Sequence, residues 1–297
     1  MQWKIGNTTI TKIEEITYPE FSDVIPAATP DVVKQVQWLF PHFVTDEGLL
    51  SLSIHSIVVD TPGATLVVDT CIGNQRDRDP FEVMHMLNTS YMDDMKAAGY
   101  EPDGVDFVLC THLHLDHVGW NTHLKDGKWI PTFPNASYMM GKQDLEFWQA
   151  AGADLDAIED EEAKAFLDIQ NRVFSDSVQP VLDAGLAKPV EGPAEICEGV
   201  SLVPTPGHTP GHCSVLIESA GEQALITGDF IHHPIQFNNP ELVSPFDVDN
   251  DAAVATRKRV FGEYADTPTL IIGTHFAGPT AGRLVRDGGE HCYRLDV

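Results

Sequence analysis

From Thr111 to Gly119 the chain reads Thr-His-Leu-His-Leu-Asp-His-Val-Gly, which places three imidazoles and one carboxylate within six residues, directly after the apolar run Val105 to Cys110. A short apolar run that ends in so many polar groups reads as a strand delivering its last residues to a loop at the rim of a sheet. Alternation at the strand end keeps His112 and His114 on one side, where they can reach one ion together. Asp116 and His117 lie where the chain turns into a helix and can serve a neighbouring ion. A site for two ions is therefore expected.

Four donors shared by two ions satisfy neither, so further ligands must come from elsewhere in the chain. Three candidates occupy suitable settings: His208 in Pro206-Gly207-His208-Thr209-Pro210-Gly211-His212, Asp229 after the apolar run Ala224 to Thr227, and His275 after Leu270 to Thr274. Each closes a strand or sits in a tight Gly/Pro turn, and strand ends at a sheet rim are where catalytic groups gather in layered α/β folds. His55, His85, His123, His233 and His291 read instead as hydrogen-bonded surface or turn residues. Asp69, ending the strand Thr65 to Val68, is either a turn cap or the partner that a ligating imidazole needs for its second N–H.

With these seven ligands in this order the sequence resembles the metallo-β-lactamase-fold hydrolases, whose HxHxDH motif is followed by a lone His, an Asp and a final His. The resemblance implies a four-layer αββα sandwich of the α/β class. It also implies one zinc on His112, His114 and His208, another on Asp116, His117 and His275, with Asp229 as the bridge. In that family the second His of the GHTPGH turn, here His212, supports the site without binding metal. Donors of N and O type without thiolate suit two divalent ions, zinc first, with manganese, iron and cobalt also compatible.

The composition narrows the partners. Eighteen basic against forty-five acidic residues give a net charge of −27, a field that repels nucleic acid and anionic membrane surfaces and leaves a small molecule as the expected substrate. The cluster Arg257-Lys258-Arg259 lies in an expected helix and reads as a solvated face. Met1 to Gly6 has none of the features of a signal peptide, no run approaches transmembrane length, and the five scattered cysteines fit reduced thiols, so a cytoplasmic location is expected.

Because the ligands run from His112 to His275 without a linker between them, residues 1–297 are expected to form one domain. Within it, residues 19–50 form an irregular N-terminal segment, whose cluster Trp38, Leu39, Phe40 and Phe43 either packs on the core, walls a pocket or forms a homodimer contact. Ser56 to Asp60 and Thr65 to Asp69 flank Pro62-Gly63 as a hairpin, Asn7 to Ile16 reads as a strand pair or edge, and Pro80 to Ala98 has helical content. Helices are expected at Gln143 to Ala150, at Glu161 to Val173 with Phe166, Ile169 and Val173 on one face, and near Ala252 to Tyr264 with Asn250 or Asp251 as its N-cap. Strands are expected near Ser201 to Pro204, Ser214 to Ile217, Ala224 to Thr227 and Leu270 to Ile272.

The reaction implied is hydrolysis of a neutral ester, lactone or phosphotriester by a hydroxide that bridges the two ions, with Asp116 shuttling the proton to the leaving group. Where acyl-homoserine lactonases carry a Tyr three residues after the bridging Asp, this chain has His232, a candidate substrate contact, and Gly228-Asp229-Phe230-Ile231-His232 looks more like the methyl parathion hydrolase branch. Phe276, with Trp38 and Phe40, is expected near the pocket mouth. Two alternatives share the fold. A persulfide-dioxygenase-like enzyme would use one iron and leave His117 and His275 without a catalytic metal. A glyoxalase-type thioesterase usually adds a basic C-terminal helical region, whereas only Phe276 to Val297 follows the last ligand here.

Overall fold

The computed structural model describes residues 1–151, 155, 159–289 and 291–297. In chain order its strands are β1 Gln2–Ile5, β2 Thr8–Tyr18, β3 Leu52–Asp60, β4 Thr65–Val68, β5 Phe107–Cys110, β6 Thr122–Lys125, β7 Lys128–Pro131, β8 Ser137–Gly141, β9 Ala187–Val190, β10 Ala194–Cys197, β11 Val200–Pro204, β12 Cys213–Ser219, β13 Glu222–Ile226, β14 Leu270–Ile272, β15 Ala281–Arg286 and β16 Tyr293–Asp296. Its α-helices are α1 Pro30–Val33, α2 Tyr91–Ala97, α3 Lys142–Ala151, α4 Glu161–Val173, α5 Gln179–Asp183, α6 Ile235–Asn238 and α7 Asn250–Tyr264. The strands form two seven-stranded sheets, ordered β1-β2-β3-β4-β5-β8-β9 and β10 through β16 in sequence, plus the small hairpin β6-β7.

Two compact units result. The first comprises Met1–Trp3, Thr9–Glu15 and His55–Glu191, and the second Lys4–Thr8, Ile16–Ile54 and Gly192–Val297. In the first, β3 and β4 pair antiparallel across the expected turn, with Asp60 opposite Thr65, because Thr61 Oγ1 accepts the amides of Gly63 and Ala64 and closes the loop. From β4 the sheet runs parallel through β5, β8 and β9, and α3 packs on β8 and β9. On α4, Ile169 and Val173 are buried as their spacing predicts. Beyond Val173 the helix widens into a π-turn over Phe174–Val178.

The core of the second unit explains the irregular segment. Leu39 and Phe43 are fully buried among Phe230, Phe237, Phe261, Ile271 and Phe276, and Trp38 and Phe40 pack against the same cluster. Burial of each such side chain contributes roughly 1.5–3 kcal/mol, which holds a stretch with little regular structure in place. Core packing is thus the role of the Trp38 to Phe43 cluster.

Several expectations are corrected. Arg257 is fully buried rather than solvated, donating Nε–H to the Pro240 carbonyl at 2.9 Å with Nη1 3.6 Å from Asp247. A guanidinium tolerates such burial only with acceptors around it, and these were invisible in the charge pattern. Helix α7 is capped by Asp249, whose Oδ1 accepts the Ala252 amide at 3.0 Å, rather than by Asn250 or Asp251. After the HxHxDH motif the chain passes into one 3-10 turn, Gly119–Asn121, not an α-helix. His55 is buried inside β3 rather than on the surface or in a turn, whereas His233 is a hydrogen-bonded residue at the turn into α6 and is buried. Of the five cysteines, all reduced, Cys71, Cys110 and Cys213 are buried. No helix among the described residues is long and apolar enough to cross a membrane.

Candidate metal centre

In the first unit, the parallel register that pairs Val68 with Leu109 ends β4 and β5 at the same rim, so Asp69 and Thr111 emerge side by side. Asp69 Oδ1 accepts the Thr111 amide at 2.8 Å, while Oδ2 accepts the Thr111 hydroxyl at 2.8 Å and His117 Nδ1–H at 2.9 Å. The Thr111 hydroxyl oxygen in turn lies 3.1 Å from His112 Nδ1, whose N–H it accepts. With Nδ1 of both rings engaged, Nε2 of each is the lone-pair nitrogen, the arrangement that second-sphere partners impose on metal-binding imidazoles. His117 Nε2 lies 3.5 Å from Asp116 Oδ1. The His112 ring lies 4.6 Å from that of His114 and 4.0 Å from that of His117. His114 is flanked by Trp148 of α3 and Phe166 of α4, at ring separations of 5.3 and 5.7 Å.

The loop that carries these groups is pinned to its neighbour. Thr70 N–H donates to the His117 carbonyl, Trp120 N–H to that of Thr70 and Gly119 N–H to that of Cys71, each at 2.7 Å. A Cβ on Gly119 would overlap the Ile72 carbonyl, so only glycine allows the two loops this close. Glu15, reaching up from β2, accepts the Ile72 amide and Trp120 Nε1–H at 2.7 Å and the Thr89 hydroxyl at 3.1 Å. Burial raises its pKa, against the opposing pull of these hydrogen bonds. Farther along, the fully buried Arg76 donates to Asp176 Oδ1 and to the Thr122 carbonyl at 2.7 Å, and also to the Gly119 carbonyl. Burial pushes its pKa down to about 10.

In the second unit a second parallel pair repeats the device. Ile226 of β13 pairs with Ile272 of β14, so the turns carrying Asp229 and His275 leave one rim together. His212 Nδ1–H donates to the Thr205 carbonyl at 2.9 Å, and its Nε2 accepts the Asp229 amide at 2.7 Å, which fixes that turn without using the Asp229 carboxylate. His275 donates Nδ1–H to the Ser53 carbonyl at 3.2 Å, and its Nε2 lies 3.1 Å from Asp229 Oδ2. His208 donates Nδ1–H to Asp247 Oδ1 at 2.9 Å, with its Nε2 3.8 Å from the same Asp229 oxygen. Gly207, at φ +135°, lies so close to the Ala253 backbone that no Cβ fits. His232 Nε2 is 3.5 Å from Asp229 Oδ2, and the His232 ring lies 4.8 Å from that of His208. Burial drives the His232 pKa down to about 3, so its ring is neutral.

This donor set fits a cation. His208 and His275 have committed their N–H to other acceptors, so what each turns toward Asp229 is a lone pair, facing a carboxylate oxygen at 3.1–3.8 Å. Like-signed acceptors so close, in a buried place, are held apart by repulsion unless a positive ion lies among them. Burial with N and O donors and no thiolate among them suits zinc and its neighbours in the first transition row.

Sequence reasoning missed Asp247 as the partner of His208. The search for a carboxylate partner, applied to His117 through Asp69, asks for a like partner for His208, and that signal would have found it. Trp148 and Phe166 were missed as neighbours of His114. Phe276 is corrected: its ring is fully buried against Phe43 and Phe237 because Leu52 bridges to Phe276 and draws it into the core, so it lines no pocket mouth. Trp38 and Phe40 are partly buried and pack against the same cluster.

The family model described as "Metallo-beta-lactamase superfamily" matches residues 51–275. An N-acyl homoserine lactonase of Bacillus sp. is 29% identical over 167 residues, 56% of this chain, and the chain spans about half of that relative's length, 54%. Another N-acyl homoserine lactonase, of Bacillus cereus, is 24% identical over 229 residues, 73% of this chain and 78% of its own length. Among solved structures, the hydrolase AbOPH of the beta lactamase superfamily superposes with a TM-score of 0.81 at 25% identity, covering 100% of this chain and 96% of the other. AidC, a dizinc quorum-quenching lactonase bound to N-hexnoyl-L-homoserine, gives 0.77 at 22% identity over 99% and 96%.

Proposed function

The chain belongs to the metallo-β-lactamase superfamily and has its fold, and from that premise we propose that it is a dinuclear metal-dependent hydrolase. Its ions are held by His112, His114, Asp116, His117, His208, Asp229 and His275, and its substrate is a neutral ester, lactone or phosphotriester. The observation that carries this reading is the pair of imidazoles, His208 and His275, that commit Nδ1–H elsewhere and turn Nε2 toward the Asp229 carboxylate, an arrangement suited to holding a cation. Two divalent ions supply a water that is nucleophilic near neutral pH and an electrophile for the substrate oxygen.

The chain's own residues do the rest. Asp69 and Asp247 fix the tautomers of His117 and His208, and His212 sets the Asp229 turn by accepting its amide. The Asp116 side chain is 18% exposed, against 1% for His117 and His208 and 5% for Asp229 and His275, so its carboxylate is the one that solvent reaches. Asp116 is placed to carry a proton from the attacking water to the departing oxygen. Trp148 and Phe166 beside His114 offer an apolar wall to the acyl or aryl part of a substrate. The field of −27 charges disfavours polyanions. The N-acyl homoserine lactonase relatives support a lactone among the substrates of this reading, and the fold shared with the hydrolase AbOPH supports hydrolysis.

Metal analysis and a substrate panel test this. About two ions per chain are expected, with kcat/KM for a lactone, an aryl ester or a phosphotriester exceeding that for glutathione thioesters and nucleic acid. One iron per fully active chain, or turnover confined to the last two substrates, would overturn it.

A further inference from the structure

His232 is unusual among the histidines of the second unit. It is 2% exposed, and neither ring nitrogen has a hydrogen-bond partner among the described residues. His208, His212, His233 and His275 each commit at least one ring nitrogen to a named oxygen. Buried imidazole nitrogens are otherwise paired, so two orphan nitrogens on one ring ask for a partner that protein atoms do not supply.

The position of the ring indicates what that partner is. His232 Nε2 lies 3.5 Å from Asp229 Oδ2, His208 Nε2 lies 3.8 Å from the same oxygen, and the three ligand atoms of His208, Asp229 and His232 all fall within 4.8 Å of one another. Two donors on one zinc, each about 2.0–2.1 Å from the ion, are separated by about 3 to 4 Å at the usual coordination angles. The backbone that carries the ring is also held from behind. The buried Gln236 accepts the His232 amide on Oε1 at 2.8 Å while donating Nε2–H to the Leu242 carbonyl at 2.7 Å, so the backbone at 232 is locked by a side chain that is itself anchored. Such anchoring of the backbone suits a side chain that must hold a fixed position at the ion.

We infer that His232 is an additional metal ligand, which joins His208 and Asp229 on one ion through Nε2. This rests on the reading of the site as a metal centre and adds an imidazole to the seven donors already assigned. The ion that His208 and Asp229 share therefore has a more nitrogen-rich coordination sphere than the HxHxDH pattern alone provides, and Gln236 is the positioning residue for the new ligand.

The test uses the full chain in three forms: wild type, His232→Phe, which keeps the ring volume without nitrogen, and His232→Gln, a milder change should the Phe variant not fold. Each is loaded with Co2+ as a spectroscopic probe and titrated against a chelator. Wild type should bind two ions. In both variants one ion should bind at least about 100-fold more weakly, above the range for loss of a supporting partner. Its visible ligand-field absorption should change, and one paramagnetically shifted imidazole N–H resonance should disappear. If either folded variant keeps both affinities and the full set of shifted resonances, with only KM altered, His232 contacts substrate and the inference is overturned while the hydrolase reading stands. A wild-type chain that binds fewer than two ions defeats the dinuclear reading itself.

Discussion

The two ligand-bearing regions each set a parallel strand pair at a sheet rim, yet they differ in what holds the donors beyond it. In the first unit four donors arrive on a single loop, and what positions them is a network of local pins: Asp69 through Thr111, Glu15 through the Ile72 amide, and Arg76 through the Gly119 and Thr122 carbonyls. In the second unit the donors arrive on separate turns, with His275 46 residues after Asp229, and the parallel register of β13 and β14 does the positioning. A contiguous motif needs many polar contacts to hold one flexible stretch, whereas dispersed ligands inherit their placement from a sheet whose register is already fixed by burial on its faces. The first region should therefore be more sensitive to loss of its polar pins, and the second to changes in its core and caps.

The largest expected effect tests the pins. Arg76→Leu removes donors to four acceptors, Asp176 Oδ1, the Gly119 and Thr122 carbonyls and the Thr122 hydroxyl oxygen, and leaves Asp176 with Arg78 and the Ser177 hydroxyl, so it should destabilise the first unit by about 3–5 kcal/mol, the usual result of breaking a buried ionic group. Denaturant unfolding checks this, and a loss below about 1 kcal/mol would mean the loop is held by its ligands instead. Next comes His233, buried in the second unit, whose Nε2–H donates to the Phe43 carbonyl while Nδ1 accepts the Ile235 amide. Burial lowers its pKa to about 4, so the folded chain binds no proton there while the unfolded chain does below about 6.5. Stability from this group is complete above pH 6.5, declines as pH falls toward 4 and levels off below it. The loss is about 3 kcal/mol, and His233→Gln should remove this part of the pH dependence in thermal melts. The smallest effect compares like with like: Asp69→Asn and Asp247→Asn should each weaken metal binding or activity about 10- to 100-fold. Asp69 also accepts from Thr111 and Asp247 from the Ser244 amide. Markedly unequal losses in chelator titrations would show that one acid is structural first.

How much of this could be read from residues alone follows the same division. The contiguous motif and its strand were legible because four donors in six residues leave few other interpretations, and Asp69 was found by asking what a ligating imidazole needs. Strands Ala224 to Thr227 and Leu270 to Ile272 were legible from short apolar runs closed by Gly-Asp and Gly-Thr-His. Strands β6, β7, β9 and β10 escaped because Lys, Pro or Glu interrupts the alternation in each four-residue run. Phe276 was misplaced because nearness in sequence to His275 carries no information about which way the next side chain points, and Arg257 because a charge cluster in a helix conceals which member faces inward.

The buried thiols give each unit a built-in reporter. Cys71 and Cys110 lie against the motif loop of the first unit, and burial raises the pKa of both thiols, so the reactive thiolate is suppressed in the closed state. Cys213 opens β12 in the second unit and is also buried, at 5% exposure. An alkylating reagent can therefore label these sulfurs only during an opening excursion of the unit that holds them. The rates at which they are labelled measure, in one undenatured sample, how often a loop fixed by polar pins lets go compared with a rim fixed by strand register.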